Sequence, residues 1–491
     1  MSRLLIERIR ATAVANPAAP AFIFQDRILD YGQFLTLIHA TSSLFYERGI
    51  RPGDTVGLSM GRWPMHCVAF LALARLGALS VPLPPKLKED ARRELIVRFG
   101  INTLVTNWRP VAELPLARVI LLDSMSLSGN IHEPDLGGYY PDDTTPMRIA
   151  LTSGTTGARR GVMHTHASFT RRVERTLYEC DTDTRLLPPD LHITASILLT
   201  MGVLMQGGTV VFDKTFSTTD IVNTIRLYGV THCLLSPAAV PPVAAVLPGR
   251  GLALPSLRHL RLVGATPTPA MTELLRTRFT PHVFTLYGIT EIGILAFATP
   301  EILCTAPGST GRITPWAQVE VLDADGQQLP PGKSGEIRVR GEGMPDGYYR
   351  EPAASNAPAR FQDGWFYPGD VGHVTADGLV FIEGRSDDIV NLGGHKYALP
   401  LIDSGIESHP EVRTAVAFTI ENTDGSVMVG AGIERRPAAT PTSLAGIATW
   451  SRKTLNLPVA MRLFDVTSLT RDDMGKIDRN ALRTQVLEDA T

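Results

Sequence analysis

Apolar positions along the chain follow two alternating rhythms. From Cys67 to Leu76 the run CVAFLALARL carries one charge, Arg75, and no helix breaker, which predicts a buried helix. Gly77 to Leu83 (GALSVPL) then predicts a turn into a short strand closed by prolines. Val210-Val211-Phe212 and His232-Cys233-Leu234-Leu235 predict short strands of the parallel kind. At the start of the chain, charges at Arg3, Glu7 and Arg8 interrupt Leu4-Leu5-Ile6, the pattern of an amphipathic helix and not of a signal peptide. Between about residues 300 and 386 the texture changes to short β-like pieces with glycine-rich turns, such as Gln318–Leu322 and Gly335–Arg340. Strand-like runs alternating with helix-period segments place the chain in the α/β class.

Size and charge narrow the function. At 491 residues the chain exceeds what one hydrophobic core serves, so at least two domains are expected. A net charge of -2 and a pI near 6.6 give no nucleic-acid footprint and no polybasic membrane anchor. No apolar stretch approaches the roughly 20 residues that span a bilayer. Cys67, Cys180, Cys233 and Cys304 show no metal-ligand spacing and are expected to be reduced core residues of a cytoplasmic protein.

The chemistry begins at Thr152-Ser153-Gly154-Thr155-Thr156-Gly157, led in by apolar Ile149-Ala150-Leu151 and followed by Arg159-Arg160-Gly161. Hydroxyls, bare amides and guanidinium groups this closely packed can hold phosphate, since glycine lets N–H groups approach an anion. A Walker A loop is excluded, because no Lys-Ser or Lys-Thr follows Gly161. Alone, such a cluster also fits a surface loop.

Five further segments stand in order behind it: Leu262-Val263-Gly264-Ala265-Thr266-Pro267, Tyr287-Gly288-Ile289-Thr290-Glu291, Gly364-Trp365-Phe366-Tyr367-Pro368-Gly369-Asp370, Gly384-Arg385-Ser386-Asp387-Asp388 and Gly475-Lys476-Ile477-Asp478-Arg479. Together the six resemble the motifs of adenylate-forming enzymes, the superfamily of acyl- and aryl-CoA synthetases, peptide-synthetase adenylation domains and luciferases. The resemblance covers nearly the whole chain. It departs at Pro368, where the family usually has Thr, and at Arg159-Arg160, where it usually has Pro-Lys.

The resemblance implies a large N-terminal domain, residues 1–386, of layered α/β subdomains plus a β-rich subdomain. A small mobile α+β domain, residues 387–491, would follow a hinge at Asp387. It implies ATP and Mg²⁺ as nucleotide and metal. Thr152, Ser153, Gly154, Thr155, Thr156 and Gly157 would cradle phosphates that Arg160 screens. Gly264, Ala265 and Thr266 would meet the adenine edge, Tyr287 and Gly288 its face. Thr290 would contact the α-phosphate and Glu291 would hold the metal, as a hard oxygen donor suits it. Asp370 would take the ribose hydroxyls, Arg385 nucleotide oxygens, and Lys476 would bridge carboxylate and phosphate during adenylation. Taken singly, Tyr-Gly-x-Thr-Glu fits a strand end with a surface glutamate, Gly-Asp an ordinary turn, and Lys476 a surface lysine.

For the acid, Pro189-Asp190-Leu191-His192 resembles the family segment whose histidine borders the acyl pocket, while a buried core role for His192 stays open. Thr194, Leu198, Val263 and Leu286 would complete a mostly apolar pocket. Thr194 stands where amino-acid adenylation domains carry an aspartate, which disfavours an α-amino acid. For the acceptor thiol, CoA or the phosphopantetheine of a separate carrier protein, the resemblance points to Gly393, Gly394 and Lys396, which fit a glycine-rich β-turn equally well. Leu392-Gly393-Gly394-His395 lacks the serine of a phosphopantetheine site, and His164-Thr165-His166 lacks a third metal ligand. Three readings compete: a small-acid CoA ligase, a stand-alone adenylation enzyme loading a carrier protein, and a non-catalytic nucleotide-binding protein.

Overall fold

The computed structural model describes residues 4–110, 114–123, 139–152, 159–213, 215–351, 360–392, 395–421, 427–436, 442–467, 469 and 478–489. The chain forms two compact units, residues 1–307 with 341–359 and residues 308–340 with 360–491.

In the first unit a six-stranded sheet has the order Arg118–Leu121, Thr103–Thr106, Thr55–Ser59, Leu79–Pro82, Pro146–Leu151 and Gly161–Thr165. Every pair is parallel except the last, whose short return makes a hairpin. The expected buried helix runs Pro64–Arg75 with Pro64 at its first turn, and Pro64 to Ala74 are all buried. It leads, as the prolines and glycine foretold, into the strand Leu79–Pro82. A second sheet joins Arg185–Leu187, Thr209–Phe212, His232–Leu235, His259–Leu262 and Val283–Ile289 in parallel, with Gly293–Ala298 antiparallel to the last. Its core gathers Val211, Cys233, Leu235, Leu260, Leu262, Phe279 and Val283 beneath the helices Thr218–Tyr228 and Pro269–Arg278.

The N-terminal amphipathic helix is Leu5–Ala15, with Leu5, Ile6, Ile9 and Ala13 buried at helical spacing. All four cysteines are free thiols, and Cys67, Cys180 and Cys233 are buried. Cys304 corrects the expectation of a core position: it is exposed, because the short helix Pro300–Thr305 buries only Leu303.

The second unit carries the expected change of texture. Antiparallel strands Phe361–Gln362, Trp365–Phe366, Gly335–Gly341, Asp370–Val374 and Leu379–Arg385 lie in that order, followed by Gly311–Ile313, with Ala317–Leu322 on Gly335–Gly341. The hairpin Ile389–Leu392 with His395–Ala398 comes next, then a three-stranded sheet of Val412–Glu421, Val427–Arg435 and Met461–Asp465. Helices Leu399–Glu407 and Leu444–Thr454 bury Ile402, Ile406 and Ile447 against that sheet. Among the described residues no helix is long and apolar enough to cross a membrane.

Candidate active site

In sequence the Thr/Ser/Gly run connects the antiparallel strands Pro146–Leu151 and Gly161–Thr165, whose last pair is Leu151 with Gly161. Its base is pinned twice: Thr152 N donates to Arg160 O at 2.9 Å, and Arg160 N to Thr152 Oγ1 at 3.1 Å. Ser153, Gly154, Thr155, Thr156 and Gly157 lie outside the described residues. Arg160 pairs with Glu351 Oε1 at 3.3 Å and places its guanidinium 5.0 Å over the Tyr348 ring. Arg98 holds the other oxygen of Glu351 and donates to Arg159 O at 3.1 Å.

Thr290 and Glu291 form the tight turn between Val283–Ile289 and Gly293–Ala298, with a bulge at Tyr287/Gly288. Gly288 is required there, since a Cβ would sit 2.8 Å from Gly293 O. Arg172, on the helix His166–Glu174, is buried and donates to Thr290 O at 2.8 Å and to Glu291 O at 2.6 Å. Burial lowers its pKa to about 9, so the guanidinium stays charged at neutral pH. Glu291 is itself buried, and Tyr348 Oη donates to its Oε1 at 2.6 Å. Burial first, and the Glu291 carboxylate next, push the Tyr348 phenol well above its ordinary range and keep it a donor. A single carboxylate is a donor that fits Mg²⁺, which takes one or two protein carboxylates and fills its shell with water and phosphate oxygens.

Gly264 follows the strand His259–Leu262 with φ of 97°, a left-handed conformation that glycine supplies. Gly264 and Ala265 are exposed, Thr266, Leu286 and Tyr287 half-buried, and Val263 buried. Thr268 caps the following helix by accepting from Met271 N at 3.2 Å. His192 and Thr194 are half-buried at the start of the helix Thr194–Gln206, and Leu198 is buried on it. Their segment is tied down by Arg148, buried in the strand Pro146–Leu151, which donates to Leu191 O at 3.3 Å. Burial lowers Arg148 to about 10. His164 and His166 are both buried, one at the end of a strand and the other opening a helix.

In the second unit Asp370 and Arg385 stand opposite in register, with Arg385 Nη1 3.2 Å from Asp370 Oδ1. Pro368, in place of the usual Thr, offers its carbonyl to Arg360 Nη1 at 2.8 Å. Ser386 to Asp388 form a single 3-10 turn after that strand pair, and Lys396 lies on the strand His395–Ala398. Lys476, Gly393 and Gly394 lie outside the described residues. Beyond Lys476, Asp478 caps the helix Arg479–Glu488. Arg479 pairs with Asp403 at 2.6 Å and Asp388 at 3.3 Å, and donates to Ala417 O at 2.8 Å.

Arg148, Arg172, Tyr348 and Glu351 were not singled out in the sequence. Arg172 reaches a turn 118 residues away and Tyr348 a carboxylate 57 residues away, so no local spacing announces them. The run Gly347-Tyr348-Tyr349-Arg350-Glu351, aromatic and charged residues behind a glycine, is the signal that was there to read.

The sequence model of the AMP-binding enzyme matches residues 9–349. The indoleacetate–CoA ligase of Aromatoleum aromaticum is 28% identical over 447 residues, 87% of each chain. The fold is similar to that of o-succinylbenzoate CoA synthetase from Bacillus subtilis solved with its acyl-adenylate intermediate, at TM-score 0.85 and 22% identity over 97% of both chains. The same synthetase in complex with ATP and magnesium matches at TM-score 0.84 and 23% identity, over 97% of this chain and 99% of that one. A family match across more than two-thirds of the chain makes this chain a member of the AMP-binding enzyme family.

Proposed function

We propose that the protein activates a small aryl or short acyl carboxylic acid with ATP, releasing pyrophosphate, and passes the acyl group to the thiol of CoA. The observation that carries this reading is the contact chain from Arg160, at the base of the hairpin loop, through Tyr348 to Glu291. It links Arg160, at the foot of the segment that would hold phosphate, to the carboxylate that would hold the metal. Attack of a carboxylate on the α-phosphorus brings two anions together, so cations and oriented dipoles are needed where charge accumulates. Residues 153–157 would supply amides and hydroxyls, and Thr290 a hydroxyl at the α-phosphate. Glu291 would hold Mg²⁺, which when bound neutralises phosphate charge. Asp370 and Arg385 would take the ribose and nucleotide oxygens. Lys476 would enter on a mobile domain, residues 387–491, that turns about Asp387. The segment from Gly393 to Lys396 would then guide the thiol. His192, Thr194, Leu198, Val263 and Leu286 would enclose the acid. A cytoplasmic setting accords with four free cysteines.

The deciding experiment is a pyrophosphate-exchange panel over aryl and short acyl acids, followed by thioester formation with free CoA. Exchange with a small acid and no exchange with α-amino acids supports the proposal. Exchange without transfer to CoA would turn the reading toward a separate carrier protein, and no exchange with any acid toward a nucleotide binder.

A further inference from the structure

Glu291 is buried at a turn whose two carbonyls are fixed by Arg172, so its backbone has one position. Its carboxylate accepts a hydrogen bond from Tyr348, whose hydroxyl lies 2.6 Å from Oε1. Tyr348 is in turn held in place. The Arg160 guanidinium lies over its ring, Glu351 pairs with both Arg160 and Arg98, and Tyr349 N donates to Gly161 O at 2.8 Å. Earlier in the same segment, Glu342 pairs with Arg171 of the helix that also carries Arg172 and with Arg175, which caps that helix. The segment 341–351 thus clasps the hairpin on one side and the helix behind Glu291 on the other. A phenol donating to one carboxylate oxygen orients the other and raises no competing charge.

We infer that Tyr348 is the positioning residue for Glu291: it fixes the carboxylate in the rotamer that receives the metal ion and ties that rotamer to the base of the phosphate loop. This rests on the reading of Glu291 as the metal carboxylate. Tyr348 would act through Glu291, which makes it a positioning residue.

The test is the affinity for Mn²⁺, measured by electron paramagnetic resonance in the presence of a non-hydrolysable ATP analogue. The wild-type protein, Tyr348→Phe, Glu291→Gln and the double variant are compared, with melting temperature as a control. Tyr348→Phe should weaken Mn²⁺ binding about 10-fold or more, keep its melting temperature within a few degrees, and add nothing to the loss in Glu291→Gln. Should Tyr348→Phe fail to fold, Tyr348→His, which keeps a ring and an N–H donor, is measured instead and should bind Mn²⁺ more tightly than Glu291→Gln. Wild-type Mn²⁺ affinity in Tyr348→Phe beside a loss in Glu291→Gln would overturn the positioning role alone. Wild-type affinity in Glu291→Gln would overturn the metal reading and this inference with it.

Discussion

Asp370 and Arg385 face each other across an antiparallel strand pair, 3.2 Å apart, so two residues that motif reasoning assigned separately to the nucleotide are a preformed ion pair. Asp370 is 6% exposed, and a carboxylate that deep is costly to bury without a paired cation or hydrogen-bond donor. The pairing orients the carboxylate. Asp370→Asn keeps the shape and removes the charge. It should raise the KM for ATP by roughly 10- to 100-fold, the worth of one charge-assisted hydrogen bond, and leave the KM for the acid unchanged. Pyrophosphate exchange at varied ATP and varied acid separates the two; equal changes in both would assign Asp370 to the fold and not to the nucleotide.

Arg172 offers a sharper test of the turn that carries Thr290 and Glu291. Its fork bonds two successive carbonyls, which one ammonium cannot reproduce. Arg172→Lys should therefore lose most exchange activity. Arg172→Ala, which leaves both carbonyls unmet, should also lower stability by about 2–4 kcal/mol. Urea unfolding and exchange measured together check it, and a fully active Arg172→Lys would refute it.

Acid should loosen the second sheet of the first unit. His232 and His259 stack at 4.6 Å, and burial lowers them to about 3 and about 4, from an ordinary value near 6.5. The unfolded chain binds more protons than the folded one between those values, so their contribution is complete above pH 6.5 and is lost as pH falls toward 4. His232→Phe should flatten the decline of melting temperature over that window. An unchanged slope would place the acid sensitivity elsewhere, with buried His66 next, lowered to about 3.

The two half-reactions should separate at the C-terminal end. Lys476→Ala is expected to abolish adenylate formation while sparing thioester formation from a supplied acyl-adenylate. Asp387→Pro, which fixes φ near -65° and deletes an N–H, should do the reverse, keeping exchange and losing transfer. Equal loss of both steps in either variant would refute the assignment.

Much of this was legible because it was local. The helix through Cys67 to Ala74 announced itself by lacking any breaker, and the Thr290-Glu291 turn by a compact motif. Cys304 was misread because composition ranks cysteine as a core residue, whereas a six-residue helix has room to bury only Leu303. Tyr348 and Arg172 were invisible for another reason: an aromatic after glycine and an arginine on an amphipathic helix are ordinary until the fold brings them to the same glutamate. Motifs name the groups that meet the substrate, and the groups that hold those groups still are scattered by topology.

Arg479 stands three residues after Lys476 and grips Asp388, one residue past the proposed pivot, together with Asp403. Under the proposed swing the clasp would act as a crank pin: a torsion at Asp387 would be delivered through Asp388 to Arg479 and the helix that it opens. The helix Arg479–Glu488 would then keep time with the hairpin Ile389–Ala398 instead of turning by itself.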